Sequence, residues 1–194
     1  MKKSNKSIDY SRNLFVNALI KLSKHKSFNN ISIKDLCDNA GVSRPTFYRN
    51  YKSKEDIFRA HLTNIYTISL EEISNLVKES NLYLPKVFFE LHERELDFFE
   101  TVFTFNMDHL ITEEFTKCLN QYVDLLYSGN KNCKYNDLYK YSLYSSAGKA
   151  YIITRFWVDH RYISSYQMYR LFNSNYIIDS FEILEKDFEL YVKD

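Results

Sequence analysis

Leu14, Phe15, Ala18, Leu19 and Leu22 recur at helical spacing, which predicts a first helix from about Asp9 to His25 with Arg12, Lys21 and Lys24 on its other face. A short loop, Ser27 to Ile31, leads into Ser32-Ile33-Lys34-Asp35, where the serine oxygen accepts from a free N–H of the new helix and the aspartate reaches back. Ile33, Leu36, Cys37 and Ala40 then form one apolar stripe two turns long, and Gly41 permits the left-handed conformation that ends it. Ser43 is a second N-cap and Pro45 falls in the first turn, where its missing N–H costs little. Phe47 and Tyr51 share one face of this short helix, from Ser43 to Tyr51.

Ser53-Lys54-Glu55-Asp56 repeats the capping pattern, and Ile57, Phe58, Leu62, Ile65, Ser69, Ile73, Leu76 and Val77 sustain one helix to about Glu79, long enough to join two domains. A buried helix is expected from Leu84 to Phe105, with Phe88, Leu91, Phe98, Val102 and Phe105 on one stripe. Another is expected from about Asp108 to Ser128, closed by Gly129. The polar segment Asn130 to Asn136 reads as a loop. Tyr139, Leu143, Ala147, Ala150, Ile153 and Trp157 mark a long helix ending near His160, followed by a short one near Ser165 to Phe172. A last amphipathic helix, about Tyr176 to Tyr191, carries Ile177, Phe181, Leu184, Phe188 and Tyr191 on one face.

Composition strengthens the all-α reading, because three glycines and two prolines are too few for the turns of an all-β or α/β fold. With 194 residues the chain has enough length to bury a core without disulfides or metals. Cys37, Cys118 and Cys133 lack C-x-x-C spacing, so small buried hydrophobes in a reducing cytoplasm are expected, with no cofactor and no metal. No apolar run forms a signal peptide or approaches the ~18 residues of a membrane span. Charge is unevenly placed: residues 1–60 hold thirteen Lys and Arg against five Asp and Glu, a net +8, and residues 61–194 hold thirteen against twenty, a net −7. A basic front on a near-neutral protein is the footprint of polyanion binding, and divides the chain into a 1–60 polyanion-binding domain and a 61–194 helical domain.

Two short helices joined by the Gly41-Val42 corner make a helix-turn-helix whose second helix fits the major groove. Around that helix Phe47 and Tyr51 point back to the core, while Thr46, Tyr48 and Arg49 point away toward DNA. The run Gly41-Val42-Ser43-Arg44-Pro45-Thr46-Phe47-Tyr48-Arg49-Asn50-Tyr51-Lys52-Ser53-Lys54-Glu55-Asp56 resembles the TetR/AcrR DNA-binding signature, the similarity extending from about residue 10 to 62. The resemblance implies a homodimer on a double-stranded operator, with Tyr48 and Lys54 on phosphates and Arg44, Thr46 and Arg49 near base edges. Ser32, Lys34, Ser43 and Pro45 complete the expected DNA-facing set. It also implies a C-terminal domain that binds a small effector and dimerises through the Tyr139 helix and the last helix. Two departures are the missing glycine at Lys26-Ser27 and the proline at position 45.

Enzyme constellations are incomplete. His92-Glu93 begins a zincin pattern, but Leu96 stands where the second histidine belongs, and three scattered glycines form no phosphate loop. Phe88, Phe98, Phe99, Phe103, Tyr151, Phe156 and Trp157, with Glu95 as a counter-charge, form either an aromatic effector cavity or a filled core. The functional expectation is a regulator, most simply a repressor released by an effector. The alternatives are an activator of the same fold and a helical adaptor that uses the basic front on another polyanion.

Overall fold

The computed structural model describes residues 2–77, 84–127 and 137–173, all of whose regular elements are helical. Nine α-helices follow one another among these residues: α1 (Lys2–Ser23), α2 (Ile33–Ala40), α3 (Arg44–Asn50), α4 (Glu55–Val77), α5 (Leu84–Arg94), α6 (Leu96–Thr104), α7 (His109–Tyr127), α8 (Asp137–Asp159) and α9 (Ser165–Asn173). Helices α1 to α3 form a head against the start of α4, and α4 runs on to pack against α5 and α7. Helix α6 packs on both α1 and α8, so the head meets the body along α1 as well as through α4.

The caps expected from the sequence are formed. Ser32 Oγ accepts from Asp35 N at 3.0 Å, and Asp35 Oδ2 accepts from Ser32 N at 2.8 Å. The Ser32 hydroxyl, which donates to the same Oδ2, the Ser32 N–H and Lys26 alongside hold the Asp35 carboxyl well below the usual carboxylate range. Gly41 ends α2 at φ 64°, in the left-handed region, and a Cβ built there would meet nothing within 4 Å. The cost of a side chain at this corner is therefore purely conformational. Gly41→Ala should destabilise the protein by about 1–2 kcal/mol, lowering the melting temperature by a few degrees. An unchanged melting temperature would show that the corner is not held in this conformation.

Three expectations shift. Helix α1 begins at Lys2 instead of Asp9, and the loop before α2 contains a 3-10 turn, Phe28–Asn30. More consequentially, the helix expected over Leu84 to Phe105 is two helices. Glu95 lies between them at φ −110°, ψ 13°, its N–H donating to His92 O only three residues back at 3.0 Å. The tightened turn stops the α-helical ladder, and the ladder restarts with Phe99 N donating to Glu95 O at 3.0 Å. Gly129, the 130–136 loop, Cys133 and the last helix fall outside the described residues.

The core is one contiguous cluster running from Phe15, Leu19, Leu36, Phe47 and Tyr51 in the head, through Phe58, Leu62 and Phe98, to Phe89, Trp157 and Met168 in the body. Its head portion is built on edge-to-face ring contacts, with Phe15 5.5 Å from Phe47 and 5.7 Å from Tyr51. Cys37 and Cys118 are buried, as small hydrophobes. Among the described residues no helix is long and apolar enough to cross a membrane.

Candidate nucleic-acid interface

Helix α3 is short because its signals are close together: Ser43 Oγ caps it by accepting from Thr46 N, Pro45 sits in the first turn, and it ends at Tyr51, whose backbone is extended. Its inward side chain, Phe47, is fully buried, and Tyr51 beside it is nearly so, its hydroxyl pushed up to about 12 by burial and thus neutral. With that face fixed, Arg44, Pro45, Tyr48 and Arg49 are left exposed. Tyr48 is 60% exposed, and its ring stands edge-on to Phe47 at 5.4 Å, which aims the phenol outward from a rigid base. Arg44 and Arg49 make no ion pair among the described residues.

The remaining residues of the expected interface are tied more closely to the fold. Thr46 is half-buried, its hydroxyl 3.0 Å from that of Ser43, so both serve the helix cap. Ser32 is likewise occupied with Asp35, donating its hydroxyl to Oδ2 at 2.7 Å, while Lys34 is exposed on α2. Lys54 departs most from the expected free phosphate donor. Its ammonium donates to Phe28 O at 2.7 Å and Ile31 O at 2.5 Å, and lies 4.5 Å from the Phe28 ring centroid. Desolvation there lowers its pKa. An ammonium has three donors, so one remains for a phosphate.

The Phe28 loop that Lys54 buckles is also where the body reaches the head. Phe28 lies 5.8 Å from Phe58 of α4 and 5.4 Å from Phe105, at the end of α6. Helix α4 is held to α7 by a charged cluster: Arg59 donates to Glu113 at 2.6 Å and Glu114 at 3.1 Å, and Glu114 is buried, with Lys117 at 2.6 Å and Thr63 at 3.2 Å. The Glu113 bond, with those to Glu55 and Glu114, raises the pKa of Arg59. Sequence reading missed this cluster; only the Glu55–Arg59 spacing on α4 hinted at it.

The aromatic residues considered for an effector cavity do not gather around one space. Phe98 faces the head, 5.9 Å from Phe58 and 4.4 Å from the His61 ring. Phe99 is stacked flat on buried His92 at 4.6 Å, which also places that histidine in the core. Phe103 packs 6.1 Å from Tyr151, whose hydroxyl donates to Asp108 at 2.9 Å. Trp157 is buried with its Nε1–H donating to Ile163 O at 2.7 Å. Phe156 stands apart, exposed and stacked on His160 at 4.1 Å, so it shares no interior with Trp157. Glu95 turns away from the stripe to accept from His61 Nε2 at 2.9 Å. The Phe88 side chain lies outside the described residues.

Comparison with known proteins bears on the head and on the whole fold separately. Residues 15–61 match the family described as bacterial regulatory proteins, tetR family. The fold is similar to that of Lin0861 from Listeria innocua, at a TM-score of 0.64 and 16% identity over 95% of this chain and 91% of that one. It is also similar to a TetR-family transcriptional regulator from Syntrophomonas wolfei, at a TM-score of 0.51 and 19% identity, over 86% and 91% of the two chains. A third similar structure is the dihydroxyacetone kinase operon activator DhaS, at a TM-score of 0.53 and 14% identity, over 91% and 95%. At these identities the likeness is one of fold. No curated protein sequence matches the chain significantly.

Proposed function

We propose that this chain, whose residues 15–61 match the family described as bacterial regulatory proteins, tetR family, binds a palindromic operator as a homodimer and is released from it by a small effector. The observation that carries the reading is the division of α3, which anchors Phe47 inward and presents Arg44, Tyr48 and Arg49 to solvent on the basic head. In this reading Tyr48 and the free donor of Lys54 hold phosphates, which position the head without reading sequence. Arg44, Thr46 and Arg49 approach base edges, where an arginine pairs bidentately with guanine.

Dimerisation is required because two recognition helices must lie about one DNA turn, ~34 Å, apart to engage both half-sites. Support for it comes from α8, where Tyr144, Gly148, Ile152 and Phe156, four positions apart, form an exposed and largely apolar line. Release follows if an effector favours a pose of the body that moves the heads. Helix α4, the Phe28–Phe105 contact and the packing of α1 on α6 are routes by which such a shift reaches Lys54 and α3. Where the operator lies relative to the promoter then sets whether binding represses or activates.

Selecting bound fragments from random DNA, then titrating the chosen operator against salt, tests the assignment. Lys54→Ala should weaken all DNA alike and flatten the slope of log K against log salt by about one unit. Arg49→Ala should blur preference at one base pair, with ~1–3 kcal/mol of discrimination lost. Wild-type affinity and selectivity in both variants would overturn these roles, and failure to select any sequence would overturn operator binding itself.

A further inference from the structure

A polar cleft of about 320 Å³ lies where the head meets the body, walled by Asn13 and Asn17 of α1, His61 of α4, and Arg94, Glu95 and Phe98 around the α5–α6 break. A second cleft, of about 230 Å³, shares Asn13, Val16 and His61 with it and continues along α1 and α4 past Asn64. The break at Glu95 shapes this site. One continuous helix was expected there, and the break falls at Glu95, the polar position between Leu91 and Phe98 on the apolar stripe. It turns the Glu95 carboxylate onto His61, whose side chain is only 10% exposed and packed edge-on to Phe98.

The charges around the cleft are unevenly matched. Glu95 is bonded to His61, and Asp97, at the mouth, accepts from Arg161 at 2.6 Å. The Arg94 guanidinium makes no hydrogen bond or ion pair among the described residues, and neither do the amides of Asn13 and Asn17, one turn apart on α1. A guanidinium with open donors suits a carboxylate. The two amides suit hydroxyls, and Val16, Ile20 and Phe98 supply a small apolar floor. The volume is at the lower end of ligand sites. We propose that this junction cleft binds a small hydroxycarboxylate, its carboxylate on Arg94 and its hydroxyl groups on Asn13 and Asn17. A ligand held this way bridges α1 to the α5–α6 corner and so fixes the tilt of the head on the body. This regulatory consequence rests on the DNA-binding reading above; the binding site does not.

Calorimetric titration of the full chain with malate and with citrate tests the site without DNA, with glycerol as the uncharged control. Saturable binding of one carboxylate per chain is expected, weakened at least about tenfold by Arg94→Ala and by Asn17→Ala. Both side chains are exposed, so the variants should melt like wild type. Absence of saturable binding to both acids, equal binding by the variants, or equal binding of glycerol overturns the site. The bound acid should also change the affinity of wild type, and not of Arg94→Ala, for the selected operator. By reciprocity operator then changes acid affinity by the same factor. Binding that leaves operator affinity unchanged overturns the regulatory role while the site stands, and failure of operator selection leaves the calorimetric result intact.

Discussion

Ile152→Asp should turn the protein into monomers and abolish operator binding at nanomolar concentrations. Ile152 is 63% exposed on α8, between Tyr144 at 65% and Phe156 at 44%, with Gly148 giving a smooth point for close approach in the same line. If two such faces pack together across a twofold axis, a carboxylate at position 152 is buried without a partner, a cost of several kcal/mol. About 4 kcal/mol would raise the dimer dissociation constant roughly a thousandfold. A single head then holds one half-site, and the affinity gained by linking two heads is lost. Sedimentation measures the first effect and operator titration the second. Because Ile152 faces solvent in the protomer, the melting temperature of the dilute variant should match that of dilute wild type. A variant that remains dimeric at micromolar concentration would place the interface elsewhere. The corresponding changes at Phe181 and Phe188 probe the last helix in the same way.

Phe58→Ala is expected to have the largest effect on stability. The ring is fully buried and lies 5.8 Å from Phe28, 5.9 Å from Phe98 and 6.2 Å from Phe105. Truncating a phenylalanine in such a setting costs about 3–5 kcal/mol, a large share of the ~5–15 kcal/mol that holds a typical protein folded. For a chain of this length that corresponds to a fall of roughly 10 °C in melting temperature. Phe58→Leu, which leaves a smaller void, should fall between the two. A loss below about 1 kcal/mol would mean that the neighbouring rings close over the gap and that head and body are not joined here.

The head was legible in the sequence because its determinants are local. Ser32 and Asp35, Gly41, and Ser43 with Pro45 each act within a few residues of themselves, so reading along the chain recovers the helix-turn-helix and the outward face of α3. What escaped depends on partners distant in sequence. Lys54 looked like a free cation because the carbonyls that hold it are 26 and 23 residues away. Likewise, the stripe from Phe88 to Phe105 skips only the position of Glu95, a gap that one continuous helix tolerates, and the His61 side chain that bonds Glu95 lies 34 residues away. Periodicity also identified Phe98, Phe99 and Phe103 as interior residues without saying which neighbour each would meet. Three neighbouring phenylalanines pack against the head, against His92 and against Tyr151 respectively.

The division of α3 bears on how this chain can change. Only Phe47 among the seven residues of that helix is buried, and its exposed residues contribute little to the core. If Arg44 and Arg49 read base edges as proposed, new operator preferences are open to mutation at these two positions with small effects on folding, so binding specificity can drift while the scaffold stays fixed. The head as a whole has no such independence. Its Phe28 and Phe58 are covered by Phe98 and Phe105 from the body, so a graft onto another scaffold would have to rebuild that seam. Transplanting specificity between relatives is then a matter of exchanging a few outward side chains, and not of moving a module.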